Sequence, residues 1–312
     1  MNLCNPRVVR ELLDKYGLAP KKGYGQNFLI NPDVPLRIAG SSALGADCGY
    51  GGAYACEDEN VSALEIGPGI GAMTRELSEL YTKVVAVEID TGLIPLLEES
   101  LEGCDNVKVV NSDFMKLDLP AFLREEFGER PVRVCANLPY YITSPIIMAI
   151  LEGFKPSAKP QVQSVTVLVQ NEVADRLCAE AGSADYGSIT AAVALAGRAR
   201  KLFTVPAGCF YPAPKVTSAV VQISLYENGV RDAFPDLPED DEACDRFVYK
   251  VKAMINAAFG MRRKTLTNAL ASMYPKTEVE DALERLGLRR DIRGEKLAAS
   301  DFVDLARELG VK

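Results

Sequence analysis

VSALEIGPGIGAMTRELSEL, residues 61–80, is the stretch that decides the fold. Ser62 to Ile66 is a short apolar run that feeds directly into Gly67-Pro68-Gly69-Ile70-Gly71, and a helical period follows from Thr74 to Leu80. A strand entering a glycine turn and then a helix reads as the opening unit of a parallel sheet. Glycines at that corner let the backbone turn tightly and approach a ligand at the carboxyl edge of the sheet. Taken alone, the turn would also serve as a purely structural corner. The spacing is G-x-G-x-G, and no Lys-Ser/Thr pair follows. Neither a pyrophosphate dinucleotide nor a triphosphate in a P-loop is therefore the expected ligand.

Downstream, apolar runs continue to alternate with helical periods. Lys83 to Ile89, Val107 to Asn111, Val132 to Ala136 and Ser164 to Gln170 read as further strands. Thr74 to Leu80, Gly92 to Leu101, Ser144 to Leu151 and Glu172 to Ala181 read as the helices between them. Two more extended segments, Lys201 to Val205 and Ala219 to Leu225, suit an antiparallel edge. Upstream, residues 7–22 read as a short amphipathic helix ending near Gly17, with Lys21 and Lys22 and then the loop GYGQNFL. Asn31-Pro32-Asp33 reads as a turn and cap before another helix. Residues 40–60, rich in Gly, Ala and Ser, read as a flexible surface insertion. Residues 227–245 read as an acidic linker. Beyond it Phe247, Val248, Val251, Met254, Ile255, Ala258 and Phe259 share one helical face that ends at Gly260. The expected domains are thus residues 1–226 and a small all-helical domain, residues 246–312.

Composition narrows the chemistry. The 312 residues include no His and no Trp. A Ser-His-Asp triad, an H-E-x-x-H helix and a His-Cys-Cys deaminase site are all excluded. Lys and Arg number 35 against 43 Asp and Glu, a formal charge of -8 that superficially argues against a polyanionic partner. The stretch 227–245, however, holds eight acids and one base, so nearly all of the acidity is local. Elsewhere Arg198, Arg200, Lys201, Lys215, Arg262, Arg263 and Lys264 offer positive surface. Eight cysteines lie scattered without a C-x-x-C, so a reducing cytoplasm is expected, with no metal. No apolar stretch is long enough to span a membrane. Nothing in the chain points beyond a monomer.

Two acidic residues follow the glycine turn at successive strand ends. Glu88 closes VVAVEID, where a carboxylate can accept both hydroxyls of a ribose, and Asp113 stands in NSDF, suited to an adenine amine. Each alone would equally serve as a helix cap. In this order they resemble the S-adenosylmethionine site of class I methyltransferases. The fourth strand ends in Asn137-Leu138-Pro139-Tyr140: an acceptor, a stiffened backbone and an aromatic plate at one point. The exocyclic amine of a purine is a poor nucleophile, because its lone pair is delocalised into the ring. The Asn137 side-chain oxygen and the Leu138 carbonyl can hold its hydrogens so that the nitrogen becomes pyramidal, while Tyr140 stacks the extruded base. Attack on a sulfonium methyl needs no general base, since the resulting ammonium loses its proton to water.

The chain resembles the KsgA family of small-subunit rRNA adenine dimethyltransferases. The likeness rests on GQNFL (25–29), LEIGPGIGAMT (64–74), VEID (87–90), SDF (112–114), NLPYYITSPI (137–146), VQNEVADRL (169–177), YGSIT (186–190), FYPAPKVTSAV (210–220) and FGMRRKTLTNAL (259–270), in family order. It implies an α/β, Rossmann-like class I methyltransferase sheet with a small C-terminal all-helical domain that binds rRNA. By position it implies that Gln26, Asn27, Leu29, Gly67, Gly69, Glu88, Asp113 and Asn137 hold S-adenosylmethionine. Asn137, Leu138, Tyr140 and Phe210 would hold the target base, although Phe210 by composition suits a core. Lys215, Arg262, Arg263 and Lys264 would contact RNA, although the last three also suit a solvated helix face. The implied reaction dimethylates two adjacent adenines near the 3' end of 16S rRNA in the immature small subunit. The Gly-rich insertion at 40–60 departs from the family pattern without removing a motif residue. Large-subunit rRNA dimethyltransferases of the macrolide-resistance type, a mainly non-catalytic ribosome-assembly factor and a DNA adenine methyltransferase are the competing readings.

Overall fold

A computed structural model describes residues 1–44, 60–261 and 263–311. Most of the expected insertion at 40–60, and Arg262, lie outside the described residues. The chain divides into two units. One comprises Met1–Gly153, Gln161–Ala174 and Arg200–Leu225, and the other Phe154–Pro160, Asp175–Ala199 and Tyr226–Lys312.

Among the described residues the strands are β1 (Phe28–Leu29), β2 (Ser62–Ile66), β3 (Val84–Glu88), β4 (Val107–Asn111), β5 (Val132–Asn137), β6 (Val162–Gln170), β7 (Gly197–Val205), β8 (Phe210–Tyr211) and β9 (Ser218–Leu225), all in the first unit except the first three residues of β7. Seven form one sheet in the order β4-β3-β2-β5-β6-β9-β7, while β1 and β8 pair separately and antiparallel. The neighbours β3–β4, β2–β3, β2–β5 and β5–β6 are parallel, and β9 joins β6 antiparallel. The helices are α1 (Pro6–Lys15), α2 (Asp33–Leu44), α3 (Ala72–Leu80), α4 (Ile94–Ser100), α5 (Leu119–Phe127), α6 (Thr143–Glu152) and α7 (Asn171–Leu177). Every residue of β2 and β3 is buried, as in a parallel sheet covered on both faces. That is why both strands read as continuous apolar runs rather than alternating ones. The chain runs outward from β2 to β3 and β4, then returns to the other side of β2 as β5. This reversal opens a crevice at the carboxyl end of β2, the place where ligands bind in such sheets.

The second unit gathers α8 (Ser188–Ala196), α9 (Asp241–Gly260), α10 (Leu266–Ala269), α11 (Lys276–Arg285) and α12 (Ala299–Glu308) around a core that includes Phe247, Val251, Met254, Ile255, Leu283 and Phe302. The face expected on α9 is the buried one. The boundary differs from the expected one, because residues 227–245 are folded into this unit rather than linking it. Asp240 caps α9 by accepting the Ala243 N–H at 2.8 Å. The buried Asp245 carboxylate accepts the Ser157 N–H at 2.9 Å, and Arg231 donates to the Pro238 and Glu239 carbonyls and to Asp241. Acids that read as a solvated run thus serve as caps and anchors, which is how residues 154–160 are recruited to the helical unit. Among the described residues no helix is long and apolar enough to cross a membrane.

Candidate active site

The crevice at β2 is a cleft open to solvent, walled by three loops. Gly67, Pro68, Gly69, Ile70, Ala72 and Met73 form one wall. Gly67, Gly69 and Gly71 take φ of 72°, 60° and 90°, a left-handed region that costs other L-residues about 1–2 kcal/mol each. A Cβ on Gly69 would also meet the Phe28 ring at 3.2 Å. Glu88 stands at the end of β3, 4% exposed, with Oε2 accepting the Gly69 N–H at 3.3 Å and Oε1 the Asp90 N–H at 2.8 Å. Burial raises its pKa, with the Asp90 charge adding to the rise, while these backbone bonds oppose it. The acid and the glycine turn are thereby locked into one surface.

The second wall is the GYGQNFL loop, which contributes Tyr24, Gly25, Gln26, Asn27, Phe28 and Leu29. It is fastened at both ends. Leu29 pairs with Phe210 and Phe28 with Tyr211 across the β1–β8 ladder. Gln26 donates to Asp90 at 3.0 Å and accepts the Lys21 N–H at 2.8 Å, and Lys21 Nζ lies 2.7 Å from Asp90. Burial raises the Asp90 carboxyl, but the bonds from Lys21 and Gln26 bring it below its usual range. The charge on Asp90 is thus held by the loop it anchors.

The third wall comes from β5. Asn137 and Pro139 line the cleft, and Asn137 Nδ2 donates to the Asn27 carbonyl at 3.0 Å. That bond uses one of the amide's two N–H donors and fixes its orientation, leaving Oδ1 as an acceptor. The Leu138 side chain is buried and its N–H bonds the Leu168 carbonyl, so only its own carbonyl is offered to a ligand. Tyr140, half-buried, shares a 2.7 Å hydrogen bond with Ser218 Oγ, which clamps the ring plane against the start of β9. The family model for ribosomal RNA adenine dimethylases matches residues 17–310.

This chain belongs to the ribosomal RNA adenine dimethylase family.

Its similarity to curated relatives runs the length of the chain. It is 38% identical to the Ribosomal RNA small subunit methyltransferase A of Geobacillus thermodenitrificans (strain NG80-2), with 99% of this chain and 97% of that protein covered. Among solved structures, 23S rRNA methyltransferase ErmE matches with a TM-score of 0.64 at 26% identity, over 91% of this chain and 100% of that one. A dimethyladenosine transferase from Plasmodium falciparum shares the fold, with a TM-score of 0.66 at 23% identity, over 91% and 98% of the two chains.

Within this dimethylase fold, the structure brings Gln26, Asn27, Leu29, Gly67, Gly69, Glu88 and Asn137 to one cleft. Asp113 is not among its lining residues. It follows β4 and caps the turn Phe114–Lys116, accepting the Met115 N–H at 3.0 Å, with Lys116 3.5 Å away. The cap alternative weighed for it is the geometry present. Phe210 is a correction to the expected aromatic wall: it is 2% exposed, in the cluster that holds Leu29, Ile38, Leu168 and Val220. The β1–β8 register turns its ring into the core. Lys215, Arg263 and Lys264 are exposed.

One site residue escaped the reading of the sequence. Glu65 lies in the middle of SALEI, lines the cleft and is 1% exposed, with no hydrogen-bond partner for Oε2. Burial pushes its carboxyl up to about 8, with the Thr74 hydroxyl opposing the rise and the charge of Glu88 adding to it. A buried carboxyl oxygen left without a partner costs stability unless a ligand completes it. The available signal was a lone charge inside an otherwise apolar strand. An oxygen that lacks only a positive partner fits a ligand carrying an ammonium group, and with Glu88 and the glycine turn it fits an amino-acid-bearing nucleoside.

Proposed function

We propose that this protein transfers methyl groups from S-adenosylmethionine to the exocyclic amines of two adjacent adenines near the 3' end of 16S rRNA, in the immature small ribosomal subunit. It would act as a monomer, in the cytoplasm where that particle matures. The observation that carries the reading is the Asn137–Asn27 bond, which aims one free acceptor into a cleft built for an adenosyl ligand. When bound, S-adenosylmethionine supplies an electrophilic methyl on a sulfonium.

The chain's own residues then divide the work. Glu88 accepts the ribose hydroxyls, and Glu65 faces the ammonium of the methionine end. Asn27, Leu29 and Gln26 close the loop over it, and Asp113 is assigned the adenine amine. Asn137 Oδ1 and the Leu138 carbonyl hold the hydrogens of the target amine, and Tyr140 stacks its ring. No imidazole is needed, because positioning and acceptor dipoles carry the barrier. The higher identity to a small-subunit enzyme than to the 23S enzyme supports the choice of particle.

The test offers labelled cofactor with immature small subunits, large-subunit precursor RNA or duplex DNA. Label entering only the small-subunit particle, at two neighbouring adenines, is the expected result; label entering only naked large-subunit RNA refutes the proposal. Asn137→Ala should lower the rate by about 10²- to 10³-fold with the fold intact by circular dichroism. Near-normal turnover would remove Asn137 from its role.

A further inference from the structure

A second hollow in the first unit has no part in the cleft just described. It is open to solvent and is lined by Gln170, Asn171, Glu172, Val216 and Thr217. It forms where β6 ends and β9 begins, closed at its base by the Asn171 N–H bonded to the Thr217 carbonyl at 3.0 Å. Ser218, which pairs with Gln170 across the strands, is the residue that holds the Tyr140 hydroxyl. The aromatic plate of the reaction site is therefore pinned to the rim of this hollow.

The lining chemistry selects a ligand. None of its five residues carries a positive charge, and Glu172, exposed, contributes a carboxylate, so a phosphate is disfavoured. Gln170, Thr217 and Glu172 offer acceptors, and Val216, 42% exposed, offers an apolar face. An apolar face beside an edge of acceptors, with no cation, suits an unpaired nucleobase bearing an exocyclic amine. Single-stranded RNA is held through the faces and edges of splayed bases, and a base extruded toward Tyr140 unstacks its neighbour.

We infer that this hollow is a second base subsite, which holds the adenine adjacent to the one at Asn137 and Tyr140. The inference rests on the proposed reaction at two adjacent adenines and adds where the waiting base goes. The subsite would favour an adenine neighbour, whose exocyclic amine donates to Glu172, over a uracil, whose one edge N–H is flanked by two carbonyl oxygens that repel the carboxylate.

The experiment uses the full-length protein and reconstituted small-subunit particles in which the neighbour of one target adenine is either adenine or uracil. The readout is the ratio of kcat/KM for labelling that target on the two particles, for the wild type, Glu172→Ala and Val216→Asp. A ratio cancels any general loss of particle affinity. Cofactor affinity, measured by calorimetry, reports whether the fold of the cleft survives. The wild type should prefer the adenine neighbour by about tenfold, the scale of one stacked and bonded base, and both variants should bring the ratio close to one. A wild-type ratio near one, or variants that keep the wild-type ratio, overturns the subsite while leaving the proposed reaction standing. No labelling of either particle by the wild type overturns the reaction and the subsite together.

Discussion

Glu65, buried, and Asn137, half-buried, show two ways in which a polar side chain waits for a ligand. Asn137 has a partner for its nitrogen and an open oxygen, so its orientation is settled before a base arrives. Glu65 Oε2 has no partner, and the carboxyl stays protonated to about pH 8. Below the ordinary value near 4.5, the group is neutral in both folded and unfolded chains. Between about 4.5 and 8 the unfolded chain has released a proton that the folded chain keeps, so stability falls as pH rises across that window and levels off above it. Glu65→Gln removes that slope. The melting temperature of the variant, measured without cofactor, should rise relative to the wild type by several degrees between about pH 5 and about pH 8. Parallel pH profiles for the two proteins would mean that Glu65 is not a buried neutral acid. The same variant should bind S-adenosylmethionine more weakly, since an amide cannot balance an ammonium.

At the scale of the element, the GYGQNFL loop is held against β5 by a close approach at Gly25. Its φ is 59°, and a Cβ there would sit 3.0 Å from Pro139 Cβ and 3.6 Å from Tyr141 Cε1. Gly25→Ala should therefore cost about 1–2 kcal/mol in denaturant unfolding if the loop keeps its place, or weaken cofactor binding severalfold if it moves. Unchanged stability together with unchanged affinity would show that the loop does not pack on Pro139 in solution. The strands at β2, β3, β4 and β5 were legible because each is a short, mainly apolar run between turn residues, and part of the cleft was legible because its glycines and Glu88 are local motifs at strand ends. Other elements gave no such signal. In α5, Asp118 caps by accepting the Ala121 N–H and Gly128 follows the last turn, but these single-residue signals were not read as a helix. Most of α8 is buried, so its apolar run has no polar face to mark it as a helix. The pairing of Leu29 with Phe210 joins residues far apart in the chain, and no local pattern could turn the Phe210 ring inward. Residues 227–245 misled because a run of acids, exposed except for Asp245, reads as a linker, whereas Arg231, Asp240 and Asp245 tie the segment down through backbone bonds and a cap that composition does not show.

For the whole molecule, a net charge of -8 coexists with a polyanionic substrate because the acids are used locally. Arg263 and Lys264 remain exposed and available to phosphates. Changing both to Ala should weaken binding to the immature particle and flatten the dependence of log affinity on log salt by about 0.7 per lost phosphate contact. An unchanged salt slope would leave the two residues as solvated surface. The β1–β8 ladder carries a consequence for how such a molecule is made. Phe28 waits for Tyr211, about 180 residues further along. At about 5–20 residues per second, the outer wall of the cleft hangs unfastened for roughly 10–40 s after its own residues are translated. A nascent chain has its glycine turn and its acids long before it can close on a methyl donor, so this enzyme stays silent until most of it has left the ribosome that makes it.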